Sequence, residues 1–301
     1  MTTTTHTLGD LEHKVAGGSP LTGAELARVL ACPDLVSIGV LGEMARRRAT
    51  GDAVTFGRVA LLEPAASVAE VGEAGEIRLV GKPASIEEAR GRVRSASART
   101  SGAPLTGFSL ADLVDLCGHD HLVLAELAVG LRADGLEAVA ETPVDRFDST
   151  EALVEALRAV IHGGLTAPRF TVDRATLADR LALVDRVADT HAILGNGRAF
   201  APLQRLDPVE TPSTGYDDVK TIAVTRLRCP ADLVVQVDWP LYGPKLAQVA
   251  VAYGAGDIDG VAAVDSLNLG ARRSPVEDIA RQIRAAGGTP IERDGRFSRR
   301  G

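Results

Sequence analysis

"DLVVQVDWPLYGPKLAQVAVAYGAGDIDG", residues 232–260, carries the pattern that decides the fold. From Asp232 to Trp239 it is a short valine-rich run that reads as a strand, and from Tyr242 to Ala255 apolar residues recur at helical spacing. "DGVAAVD" (259–265) begins the next strand and "SPVEDIARQIRAAGG" (274–288) the next helix. Ser274 is placed there as N-cap, Pro275 at the first helical position and Glu277 two residues further on.

The alternation extends upstream. "VTFGRVALLE" (54–63), "EIRLVG" (76–81), "APLTGFS" (103–109), "GLEAVAE" (135–141), "APRFTVD" (167–173) and "AFAPLQRLD" (199–207) read as strands. Helical runs separate most of them: 85–96, capped by Ser85 with Glu88; a discontinuous one from Leu110 to Arg132; 149–161; 175–191; and 216–229. Ahead of the first strand, Thr22 and Glu25 form a capping-box signature, and a second helix runs from about Leu35 to Arg48. About eight strand-then-helix units in roughly 240 residues is the span of a closed (β/α) barrel. A doubly wound open sheet is the runner-up. The expected organisation is a flexible N-terminus over 1–20, one α/β TIM-type barrel domain with its helical lead-in over 21–295, and a basic tail over 296–301.

Composition bounds the function. The chain has 301 residues, 45% of them hydrophobic, and a formal net charge of -7. That balance gives no electrostatic footprint for a phosphate backbone, so nucleic acid is not an expected partner. No apolar run is long enough to span a bilayer, and the N-terminus shows no secretory pattern, so a cytoplasmic protein is expected. Cys32, Cys117 and Cys229 lie too far apart to share a metal loop, and each reads as a small buried hydrophobe. Cys117 lies near His119 and His121, but two histidines on a turn read as solvent-facing. No metal site is expected there.

In a barrel the chemistry lies at the strand C-termini. Those positions hold Lys82, Ser109, Glu141, Asp145, Asp173, Asp207, Asp238 with Trp239, and Asp265 with Asn268. Such a rim could bind ribose hydroxyls, an amine or a divalent ion, or supply a general base, although an Asp after a strand also serves as an N-cap or turn former. Asp145, Asp173 and Asp238 are the catalytic candidates. Lys82, Glu141, Asp238, Trp239, Tyr242 and Asn268 are the ligand-binding candidates. Trp239 and Tyr242 could stack on a flat ring, or Trp239 could plug the barrel.

The runs "YDDVKTIAVTRLRC", "WPLYGPKLAQVAVAYGAGDIDG" and "IRAAGGTPIERD", with the lead-in "LTGAELARVLACPDLVSIGVLGEMARRRATGDAVTF", resemble the radical SAM enzymes of the menaquinone (futalosine) and deazaflavin-cofactor pathways, closest to aminofutalosine synthase. In that family a Cys-x3-Cys-x2-Cys loop after the first strand holds an iron-sulfur cluster, which binds S-adenosylmethionine. Here "EPAASVAEVGEAGE" (63–76) has no cysteine, and "AETPVD" replaces the family's glycine-rich segment, with Asp145 at the position of its glutamate. The resemblance therefore implies the barrel, possibly distorted or partly open at 63–76, without cluster or S-adenosylmethionine. Three functions follow as expectations: a degenerate relative that binds a nucleoside- or chorismate-derived ligand or partners an active homologous enzyme; an enzyme with cluster-independent chemistry at the barrel mouth; or an active radical enzyme like aminofutalosine synthase.

Overall fold

The computed structural model describes residues 8–64, 73–100, 102–174, 177–205, 213–263 and 276–300. Three helices lead in: α1 (Gly9–Gly17), α2 (Gly23–Ala31) and α3 (Leu35–Thr50). Thr22 caps α2 in the expected capping box with Glu25, and Asp34 accepts from Val36 N and Ser37 N at the start of α3. The flexible N-terminus expected through residue 20 is instead helical over 9–17. Leu11 and Val15 are apolar residues four apart, and both are buried against α2 and α3 residues such as Leu26 and Leu41.

Eight parallel strands follow: β1 (Ala53–Leu62), β2 (Glu76–Leu79), β3 (Leu105–Ser109), β4 (Ala138–Pro143), β5 (Arg169–Val172), β6 (Ala199–Gln204), β7 (Val234–Asp238) and β8 (Asp257–Ala262). Each pairs with the next. The ring closes because β1 pairs with β8 from Thr55↔Asp257 and with β2 from Val59↔Glu76 to Leu62↔Leu79. The opening allowed for at 63–76 is thus absent from the paired residues: β2 is four residues long and all four pair with β1. The surrounding helices are α4 (Ile86–Ser97), α5 (Leu110–Leu116), α6 (His121–Ala133), α7 (Thr150–His162), α8 (Arg180–Leu194), α9 (Gly215–Arg228), α10 (Trp239–Ala252) and α11 (Val276–Ala285). α5 and α6 are the two parts of the expected discontinuous helix. The helix start expected at Ser274 and Pro275 lies outside the described residues.

A further strand, β9 (Thr289–Arg293), was not expected; it pairs in parallel with the first half of β1, from Ala53↔Thr289 to Gly57↔Arg293. β1 is ten residues long, so its first half is left for β9 and its second half for β2. The basic tail folds back at the same end, where Arg300 pairs with Glu292 at 2.6 Å and Arg296 with Glu137 at 2.6 Å.

The apolar core lies largely outside the ring. Ile77, Leu79, Phe170 and Val172 from the strands pack with Val93, Leu127, Leu157 and Val184 from the helices. The interior of the ring is ionic. Arg78 bonds Asp259 at 2.9 and 3.2 Å and Glu76 at 2.8 Å, Arg169 reaches Asp259 at 3.1 Å, and Arg293 bonds Asp257 at 2.7 and 2.8 Å and Asp259 at 2.8 Å. All six side chains are buried. Gly57 makes room for them, since a Cβ there would come within 2.8 Å of the Arg293 guanidinium.

Candidate functional site

The strand ends bring part of the expected rim together. Glu141 lies in β4, Asp173 directly follows β5, and Asp238 is the last residue of β7. Arg205, directly after β6, joins two of them, donating to Asp238 Oδ2 at 2.7 Å and to Glu141 Oε1 at 2.9 Å. A planar guanidinium with two donor edges is well suited to hold two carboxylates apart. Burial disfavours its charge, but Asp238 and Glu141 outweigh this and keep Arg205 more firmly protonated than an ordinary arginine. Asp238 is buried, and its carboxyl is raised by that burial against the pull of Arg205.

Asp173 has the most unusual setting. Burial, then the nearby Asp145 and Glu141 carboxylates, push its carboxyl up to about 6 despite Arg146 and Arg205. A carboxyl that changes charge near neutral pH can act as acid or base. Asp145 is already engaged: its two oxygens accept from Asp173 N at 2.8 Å and Arg174 N at 2.6 Å, so it fastens the loop after β5. Arg146 stands between Asp173, at 3.7 Å, and Asp115, at 3.3 Å. Lys82 is also held by Asp115, at 3.0 Å, and its amine is raised by that bond. It pairs with Asp112 and Asp115 on α5 and not with the Arg205 bridge.

Trp239 starts α10 and is only 1% exposed, packed in a cluster with Leu203, Val237, Ile258 and Ala247. Among the described residues its Nε1 has no hydrogen-bond partner. Pro240 follows at the first turn, and Gly243, at φ +75°, with Pro244 breaks the helix one turn later. Tyr242 is half-buried and donates its hydroxyl to Gln204 O, tying α10 to the end of β6. Asn268, Asp207 and Asp265 lie outside the described residues.

Arg205 and the interior arginines were not read from the sequence. A signal existed: Glu76 with Arg78 in "EIR" and Asp257 with Asp259 in "DID" are charges at alternate positions of strands, which places both members on one face.

The residues present do not fit a cluster held on three thiolates. Cys32, Cys117 and Cys229 are buried at the C-terminal caps of α2, α5 and α9, and residues 63–76 contain no cysteine. Burial pushes the Cys229 thiol up to about 12, the opposite of what a thiolate ligand needs. Among the described residues no three histidine, cysteine or carboxylate side chains are grouped to hold a metal.

No family model matches the chain. In sequence it is similar to the 5-amino-6-(D-ribitylamino)uracil–L-tyrosine 4-hydroxyphenyl transferase of Methanococcoides burtonii, 26% identical over 211 residues, which are 58% of this chain and 57% of that protein. It is also similar to the aminodeoxyfutalosine synthases of Streptomyces coelicolor, 28% identical over 46% of this chain and 39% of the relative, and Thermus thermophilus, 30% identical over 40% and 36%. The matched stretches thus span little more than half of those proteins at most. Among solved structures, methylornithine synthase aligns over 93% of this chain and 97% of its own at TM-score 0.67 and 14% identity. The hydrogenase maturase HydG aligns over 94% and 75% at TM-score 0.65 and 12% identity. The resemblance to radical SAM enzymes of the futalosine and deazaflavin pathways holds in sequence, and the TIM-type barrel holds in fold.

Proposed function

We propose that this chain, which resembles radical SAM enzymes but supplies no thiolate triad, is a cluster-independent relative that binds a small hydroxyl- and amine-bearing molecule, of the nucleoside-derived kind, at the barrel mouth. The observation that carries this reading is Asp173 beside the Glu141–Arg205–Asp238 bridge. Burial and two neighbouring carboxylates hold back its ionisation, and a cationic amine arriving there would relieve that cost. The free carboxylate positions suit ribose-like hydroxyls, while Arg205 fixes where Glu141 and Asp238 point. The relatives' names point the same way: 5-amino-6-(D-ribitylamino)uracil is a polyol that carries amines.

A second reading, catalysis without a cluster, has the same residue in its favour. Asp173 at about 6 would take up a proton from a bound amine or hydroxyl and return it.

Thermal shift on the purified protein tests the proposal, with adenosine, chorismate and 5-amino-6-(D-ribitylamino)uracil as probes. A native-state ligand raises the melting temperature. One of the polyol probes is expected to raise it saturably, and Asp173→Asn or Glu141→Gln to abolish the rise. No rise with any probe, or an equal rise in both variants, sinks the reading.

A further inference from the structure

The opposite end of the barrel holds a cavity of about 440 Å³, beneath the N-terminal ends of β3 to β6 and beside the returning chain at Gly295 and Arg296. Its volume lies in the range of small-molecule sites. Its walls carry three arginines, Arg132, Arg198 and Arg296, and one carboxylate, Glu137. Glu137 is taken by Arg296 in a two-armed pair with both bonds at 2.6 Å. Among the described residues, Arg132 makes only a 3.4 Å side-chain bond, to Leu136 O, and the Arg198 side chain has no hydrogen-bond or ion-pair partner. In a chain of net charge -7, two guanidinium groups lining one cavity, neither paired with a carboxylate among the described residues, form a local positive excess.

Asn196 lines the same wall, but its two amide atoms are closed off from water, so a molecule in the cavity meets the rest of the residue and not the amide. Thr106 offers no hydroxyl proton there, because it donates to Glu76 at 2.6 Å. Helix C-termini also reach this end, and their carbonyls would repel an anion, but the last turns are closed by the chain itself: Leu136 N donates to Leu131 O, Leu165 N to Val160 O and Gly195 N to His191 O.

We infer that this base cavity is a binding site for a small oxyanion, a carboxylate or phosphate group. Arg132 and Arg198 take the anionic oxygens. The site is independent of the mouth and shares none of its residues.

The test is melting temperature against concentration of inorganic phosphate and, separately, acetate, with chloride added to constant ionic strength. A saturable rise with phosphate or acetate is expected, the better probe identifying the class of oxyanion. Arg198→Gln with Arg132→Gln should raise the half-saturating concentration about tenfold to a hundredfold, as loss of charged hydrogen bonds does. Both residues are exposed, so the fold should survive. Arg158→Gln, outside the cavity, should titrate as the parent does. A non-saturating rise with both anions, or equal titrations in the double variant and the parent, overturns the inference.

Discussion

Asp173 and Glu76 show how one barrel can drive two carboxyls in opposite directions. Glu76 is buried, yet Arg78 and Arg169 bring it down to about 2, so it contributes stability above its ordinary value that is lost as pH falls towards 2. Asp173 is raised to about 6, so the folded state binds its proton more tightly than the unfolded chain. Its favourable contribution is therefore full below about 4 and lost as pH rises through 6. Asp173→Asn is accordingly expected to gain stability relative to the parent at pH 7 to 8, with the difference shrinking towards pH 4; urea midpoints across that range would check it. Trp239 makes a second case. It is buried in an apolar cluster, so Trp239→Ala should cost about 3–5 kcal/mol in urea unfolding. Tyr242→Phe, which removes one hydroxyl bond to a backbone carbonyl, should cost only about 1 kcal/mol. Equal midpoints for Trp239→Ala and the parent would show that the side chain is not a core element. At this scale the rim acids were legible because strand ends in a barrel are predictable positions. Arg205 was not, because a charge after "AFAPLQ" reads as a loop residue until the fold sets Glu141 and Asp238 on either side of it.

Among the elements, period and caps carried most of the information. Glu88 N donates to Ser85 Oγ at 3.1 Å, as the spacing requires, and α5 and α6 divide where Gly118 sits at positive φ. β9 escaped notice because "TPIER" is short, contains a proline and has two charges; it is a strand only because β1 offers it an edge. What β9 contributes is Arg293. Arg293→Ala would leave Asp257 and Asp259 buried with less compensating charge, a change of about 3–5 kcal/mol in urea unfolding. If Arg293→Ala unfolds at the parent's midpoint, the interior network adds no stability. Gly42 makes a parallel case for the lead-in. A Cβ on this α3 residue would overlap the backbone of Tyr253 at the end of α10, so Gly42→Ala should cost about 1–3 kcal/mol by the same measurement.

At the scale of the molecule, scaffold and chemistry separate. The barrel aligns along nearly its whole length with solved structures at 12–14% identity, while the loop that would carry thiolates has none. Anaerobic reconstitution with iron and sulfide should therefore give no stoichiometric cluster. About four irons per chain, lost on Cys117→Ala, would favour an active radical enzyme instead. The closed ring has one more consequence, which concerns time. β1 takes β2 on one edge and β8 and β9 as well, so the strand that a ribosome delivers first is completed by those it delivers far later. Until residues 257–293 emerge, β1 keeps an open edge, and open edges recruit other strands. Nascent chains halted in α10 should thus be cut readily by protease and held by chaperones, and chains extended beyond Arg293 should resist.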